Sequence, residues 1–218
     1  GEPVEYKETT EDEKRNVVDQ NSFSVNLSQI ESSKKDIPEI KTITPRYDFD
    51  GDYITLDGIK KYQVSLGMLS EGVKQKVEAG SSISGTGEIV IPLELAKTFD
   101  SEFKNLIGKD ATIGYKISDT NESKIIQLKI VGVATKGFMA NFASYVDSET
   151  ARRIYDDQNR GSENYNKFWN FTVQIENVSE KKATEIKQKL DEKGFSAESF
   201  SDRDKRTYDA IGILQIGL

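Results

Sequence analysis

Residues 169–200 read WNFTVQIENVSEKKATEIKQKLDEKGFSAESF, and this stretch decides the fold. Trp169, Phe171, Val173 and Ile175 alternate with Asn170, Thr172, Gln174 and Glu176. A period of two with apolar residues on one side predicts a strand buried on one face. Ser179 supplies a hydroxyl N-cap for the helix that follows. Ala183, Ile186 and Leu190 fall at i, i+3 and i+7, which forms the buried stripe of an amphipathic helix. Gly194 stands where the residue after a helix takes a left-handed conformation. Residues 195–200 then read as another strand, completing a β-α-β unit with tight loops. Acids and lysines from 181 to 193, including the Glu185/Lys189 i,i+4 pair, occupy the exposed side of the helix. Trp169, the only tryptophan, shares the parity of the buried residues and reads as core packing, ahead of a binding platform.

Working outward, Leu27 and Ile30 predict a short helix over residues 26–35, ended before Pro38. Ile40, Thr42 and Thr44 continue into a strand. Asp50-Gly51 and Asp57-Gly58 are hairpin signals between aromatic and β-branched residues. A short helix is expected at residues 73–78. A strand follows at residues 88–91, and a helix opens near Pro92, since proline suits the first helical turn. Further strands are expected at residues 111–117 and 125–134, then a helix at residues 148–157 capped by Asp147 or Ser148. Residues 90–96 (VIPLELA) and 145–151 (YVDSETA) echo each other as strand, turn residue and helix with Glu-x-Ala. Chance similarity and duplication both remain open for that echo. Residues 1–22 are charged and read as a flexible lead-in, with a short strand at residues 16–19. Ser201 or Asp202 caps a final helix that ends in the apolar run AIGILQIGL at residues 210–218.

The chain has 218 residues, no cysteine and no histidine. That excludes disulfides, zinc-thiolate sites, thiol nucleophiles and any Ser-His-Asp arrangement. Acid–base work would fall to Asp, Glu, Lys or Tyr. With a net charge of −7, the chain does not read as a general nucleic-acid binder, which would be basic. It is 35% hydrophobic and 31% charged, with a mean hydropathy of −0.60, polar for a globular domain but able to fold. No stretch approaches the roughly 18–20 apolar residues of a membrane span. The polar first residues do not read as a signal peptide, and an opening Gly1 reads as the start of an excised segment.

Few motifs point to chemistry. Residues 48–52 (DFDGD) fail the calcium-loop spacing, because the glycine comes fourth and Ile59 falls at position twelve. Residues 80–87 (GSSISGTG) lack the Gly-Lys-Ser/Thr ending of a phosphate loop. Acidic pairs such as Asp156/Asp157 and Glu94/Asp100 single out no site among 37 acids. No catalytic residue, cofactor or metal is expected. Residues 136–142 (KGFMANF) place Phe138, Met139 and Phe142 in a glycine-containing loop between strands. Such a loop either folds on its own small core or presents an apolar contact patch, so these three residues are the candidate partner or substrate contact.

The order of the pieces resembles a family. Gly87-Glu88-Ile89-Val90-Ile91-Pro92, Leu95-Ala96, Leu106-Ile107-Gly108-Lys109 and Lys129-Ile130-Val131-Gly132-Val133 follow one another as in the extracytoplasmic domain of MacB-like (FtsX-like) ABC transporter permeases. Tyr145-Val146-Asp147 and Glu149-Thr150-Ala151 look like that family's next strand and helix. The unit at 169–200 is similar to its C-terminal half. The resemblance covers about residues 25–218. Residues 1–22 have no counterpart in it, and residues 121–123 lengthen a hairpin.

The resemblance implies an α+β, two-lobed domain. A β-α-β, ferredoxin-like, membrane-proximal lobe (residues 23–45 plus 166–209) would carry an inserted mostly β lobe (residues 46–165), and residues 210–218 would start a transmembrane helix. The implied function is the extracellular domain of a permease subunit in the cell membrane of a Gram-positive bacterium, coupling cytoplasmic ATP hydrolysis to export of a peptide, antibiotic or lipoprotein. The implied partners are a cognate ATP-binding subunit reached through the membrane helices, a second permease and a membrane-fusion or accessory protein, with no nucleic acid. The alternatives are a secreted or lipid-anchored binding module of the bacterial cell surface and, further off, a carboxylate-based hydrolase.

Overall fold

The computed structural model describes residues 2–8, 25–69, 74–118, 120–135, 143–163, 165–168, 170–202 and 207–214. In chain order the elements are β1 (Val25–Asn26), α1 (Leu27–Glu31) with a 3-10 turn (Ser32–Lys35), β2 (Ile40–Pro45), β3 (Tyr53–Thr55), β4 (Tyr62–Gln63), β5 (Ser65–Met68), β6 (Val77–Gly80) and β7 (Glu88–Pro92). They continue with α2 (Leu93–Phe99), a 3-10 turn (Phe103–Leu106), β8 (Asp110–Lys116), β9 (Ser123–Ala134), β10 (Ala143–Val146), α3 (Ser148–Asn159), β11 (Lys167–Phe168), β12 (Asn170–Val178), α4 (Glu180–Glu192), β13 (Ser196–Asp202) and β14 (Thr207–Leu214). The chain is mixed α+β, with a large sheet and four α-helices among the described residues. It divides into two compact units, Gly1–Lys14 with Tyr47–Ser162, and Arg15–Arg46 with Glu163–Leu218.

The first unit is built on an eight-stranded sheet, ordered β4-β3-β8-β9-β7-β10-β5, with β6 also on β9. The two ends of that order, Tyr62–Gln63 and Ser65–Met68, are separated only by Val64. The sheet therefore closes on itself through one continuous stretch. Ile54, Ile113 and Ile126 are direct partners across three strands, as are Ala111 and Leu128. All five are buried, whereas Ile125, Gln127 and Lys129 alternate to the exposed side, the pattern of a sheet wet on one face.

The echo between residues 90–96 and 145–151 has a spatial counterpart. Val90 and Tyr145, equivalent in the two stretches, are antiparallel partners. On their outer sides β7 takes β9, and β10 takes β5, both in parallel. Leaving β6 aside and counting β4 and β5 as one stretch, the unit runs strand, strand, strand, helix twice, with the pairing a local two-fold axis would produce. Both helices start from an extended residue, Pro92 or Asp147.

In the second unit the sheet order is β13-β14-β12-β2, all antiparallel neighbours. A β1–β11 pair lies beside it in sequence. The expected strand, helix and strand at 169–200 are present as β12, α4 and β13. Ser179 caps α4 by accepting from the Lys182 N–H. Gly194 has φ +86°, and the Phe195 N–H donates to the Leu190 carbonyl at 3.0 Å, closing the helix as a left-handed cap does. Ala183, Ile186 and Leu190 are buried, as are Phe171, Val173, Ile175, Ile30 and Ile37. Lys182 pairs with Glu39 at 2.8 Å and with Glu185 at 3.4 Å. Glu185 thus finds its lysine three residues before it, where the sequence pattern offered Lys189.

Three expectations are corrected. Of the helix expected at residues 73–78, residues 77 and 78 lie in β6 instead, because Gly80 and Gly132 pair where two backbones nearly touch. Asp50-Gly51 makes no hairpin. The hairpin is the β3–β4 pair around Asp57-Gly58, whose turn is held by the Asp57 carboxylate accepting from the Ile59 and Lys60 N–H groups. The largest correction concerns the end of the chain. Where a helix and the start of a membrane span were expected, residues 207–214 are strand β14, hydrogen-bonded to β12 on one side and β13 on the other. Ile211 and Ile213 are β-branched and Gly212 is a poor helix former, and from Ala210 to Leu214 the strand is paired on both sides. Residues 215–218 and the lead-in strand at 16–19 lie outside the described residues.

Candidate functional site

Phe138, Met139 and Phe142, the candidate contact residues, lie outside the described residues, as does Trp169. The described ends of that loop are placed by the large sheet. Ala134 pairs with Val77 and Pro92, and Ala143 pairs with Ser65.

A cleft of about 420 Å³ lies in the same unit, between α3 and β9. Ile126 and Leu128 line it with Arg152, Arg153, Asp156, Asp157 and Arg160. Strand alternation turns Ile126 and Leu128 the same way, and helical spacing brings Arg153 and Arg160, seven residues apart, onto one side of α3. The head of α3 closes one end. Asp147 accepts from the Thr150 N–H at 2.8 Å through one oxygen. Its other oxygen takes the Thr150 hydroxyl at 2.5 Å and the Gly87 N–H at 3.0 Å.

Asp157 ties α3 to two strands of the sheet through side chains. It accepts from the Lys124 ammonium at 2.9 Å and from the Tyr115 hydroxyl at 2.7 Å. Burial works to raise its pKa, but the hydrogen bonds from Lys124 and Tyr115 outweigh it and hold the carboxyl below its ordinary value. Burial, and then the hydrogen bond to Asp157, pushes the Tyr115 hydroxyl well above the ordinary tyrosine value. At neutral pH Asp157 is charged and Tyr115 is protonated. Arg152 lies 3.9 Å from Glu149 and 3.8 Å from Asp156. The walls thus carry both signs of charge beside an apolar floor, which suits holding a polar ligand.

The other sequence candidates are occupied internally. Glu88 accepts from the Ser84 and Gly85 N–H groups at 2.7 and 2.9 Å, so the amides a phosphate would use already hold a carboxylate. Asp50 is tied to Gln158 through its backbone N–H and carbonyl, which makes residues 48–52 a docking point for α3. Among the described residues no group of three or more acids could hold a metal ion. The sequence reading missed Tyr115 and Lys124, whose signal was faint: one residue at the end of a strand and a lysine opposite it in the next, paired in register. No helix among the described residues is long and apolar enough to cross a membrane. In comparison with known proteins, the chain matches no family model and no curated protein.

Proposed function

We propose that this chain is the extracellular domain of a MacB-like (FtsX-like) ABC transporter permease. In this reading it lies between two membrane helices and moves as a cognate ATP-binding subunit hydrolyses ATP in the cytoplasm. The movement drives export of a peptide, antibiotic or lipoprotein. The observation that carries the reading is the order of the family-like segments along the elements. Residues 88–92 are β7 with Gly87 just before it, Leu95-Ala96 lie in α2, residues 106–109 at a turn where Gly108 has φ +86°, residues 129–133 on β9, and residues 145–151 run from β10 through Asp147 into α3.

The finer architecture belongs to the same proposal. The unit that contains both β2 and β12–β14 is the membrane-proximal, ferredoxin-like lobe, and the unit with the closed sheet is the inserted lobe. The domain does mechanical work and no covalent chemistry. With residues 207–214 in a strand, the membrane helix in this reading begins beyond β14.

The test is topological. Ile59 is 84% exposed and the chain has no cysteine, so Ile59→Cys in the parent protein gives this domain one reactive thiol. Labelling by a membrane-impermeant maleimide on intact cells, together with apolar spans flanking this segment in the parent gene, is the expected result. Labelling only after permeabilisation would reject the extracellular placement. An upstream signal peptide or lipobox with no flanking spans would point to the secreted or lipid-anchored binding module.

A further inference from the structure

We infer that the outer edge of β4 is an acceptor site for an extended peptide, filled in this structure by the chain's own residues 4–6. The Tyr6 N–H donates to the Lys61 carbonyl at 2.9 Å, and the Gln63 N–H donates to the Val4 carbonyl at 2.8 Å. Glu5 faces Tyr62 in an antiparallel bridge. These are the bonds by which a strand adds to a sheet edge. Tyr62 pairs on its other side with Ile54 of β3, so β4 lies between β3 and the added segment.

The side-chain anchorage is a single ring. Tyr6 packs on Tyr53 with centroids 5.1 Å apart. The platform under it is built. Tyr53 lies across Gly114, where an added Cβ would come within 2.2 Å of the Tyr53 ring, and Lys61 caps the same ring at 4.4 Å. Val4 and Glu5 are exposed. The segment is therefore held by backbone bonds that any extended sequence can make, and by one aromatic contact.

Backbone bonds with a lone aromatic pocket define the ligand class: an extended segment of another polypeptide with an aromatic residue in the place of Tyr6. A tethered occupant competes at an effective concentration on the order of millimolar, so an incoming segment must displace residues 4–6. This inference stands apart from the transport reading and holds for a binding module as well.

The test uses the full chain and a labelled peptide, EPVEYKE, copied from residues 2–8. Tyr6→Pro removes both the N–H donor and the ring and vacates the edge. The expected result is that the Tyr6→Pro chain binds the peptide at least about tenfold more tightly than the unaltered chain. Alanine in place of the peptide's tyrosine should weaken binding about tenfold. No binding to the Tyr6→Pro chain, or equal binding to both chains, overturns the inference. If Tyr6→Pro does not fold, hydrogen exchange in the unaltered chain decides. The Gln63 amide should exchange far faster than the Ile113 amide at the sheet centre, and equal protection of the two would mean a fixed structural strand.

Discussion

The two sheets of this protein treat their edges in opposite ways. The large sheet returns to its own first strand through residues 62–68, whereas the four-stranded sheet stays open and ends on β13 and β2. Closure pairs most of that sheet's edge, leaving the outer side of β4 to residues 4–6, and β6 brings two backbones close together on β9. At the β6–β9 crossing, Gly80 and Gly132 are partners, and a Cβ on either would sit 2.1–2.3 Å from a backbone oxygen, that of Val131 or Ser81. Gly80 also has φ +75°, a conformation that side chains resist. The open sheet draws its stability from a helix instead, with α4 packed over β13 and β14. One unit is specified by what its strands cannot carry, the other by what its helix must bury.

Substitutions can break this contrast. The largest effect is expected in the open unit. Leu190→Ala removes a fully buried side chain and should cost about 2–5 kcal/mol, read as a fall in the urea midpoint. Gly132→Ala in the closed unit should cost about 1–3 kcal/mol, because the neighbour it meets is backbone and cannot swing aside. If Gly132→Ala leaves the midpoint unchanged, the crossing is looser than described and the contrast fails.

A smaller effect sharpens the account of α3. Asp157→Asn weakens the hydrogen bonds from Lys124 and Tyr115 and should cost about 1–2 kcal/mol. The sign of its pH dependence follows from the lowered folded pKa. The stabilisation by Asp157 is fully present above the ordinary value of 3.8 and is lost as pH falls through the lower folded value. A pH titration of the midpoint should therefore show an acid loss in the parent chain that is reduced in Asp157→Asn. Identical acid limbs would assign that loss to other carboxylates.

The open unit was easier to read in the sequence, except at its end. Ser179, the Ala183/Ile186/Leu190 stripe and Gly194 lie within one stretch, and each carries its own local signal. Strand β14 carried the opposite signal. A run such as AIGIL is apolar at every position, and periodicity cannot separate a buried strand from a helix in so short a run. Its pairing with β12, from Val178 with Tyr208 to Asn170 with Leu214, lies outside any local window. In the closed unit the strands expected at 88–91, 111–117 and 125–134 are present as β7, β8 and β9. The closure through Val64 was not legible, because no residue records that β4 and β5 serve opposite ends of one sheet. The cleft was hidden for the same reason. Tyr115, Lys124 and Asp157 meet across 33 to 42 positions, and none belongs to a recognisable motif.

The place of β14 has a consequence for the order of synthesis. Its sheet cannot be completed until the last described strand has left the ribosome, since β12 and β13 bond to β14 and not to each other. Thr42 and Gln174, hydrogen-bonded within that sheet, are 132 positions apart. At typical elongation rates β2 waits on the order of ten seconds for its partner. Every strand of the closed sheet is made during that wait, so that sheet has time to form before the open one can be completed.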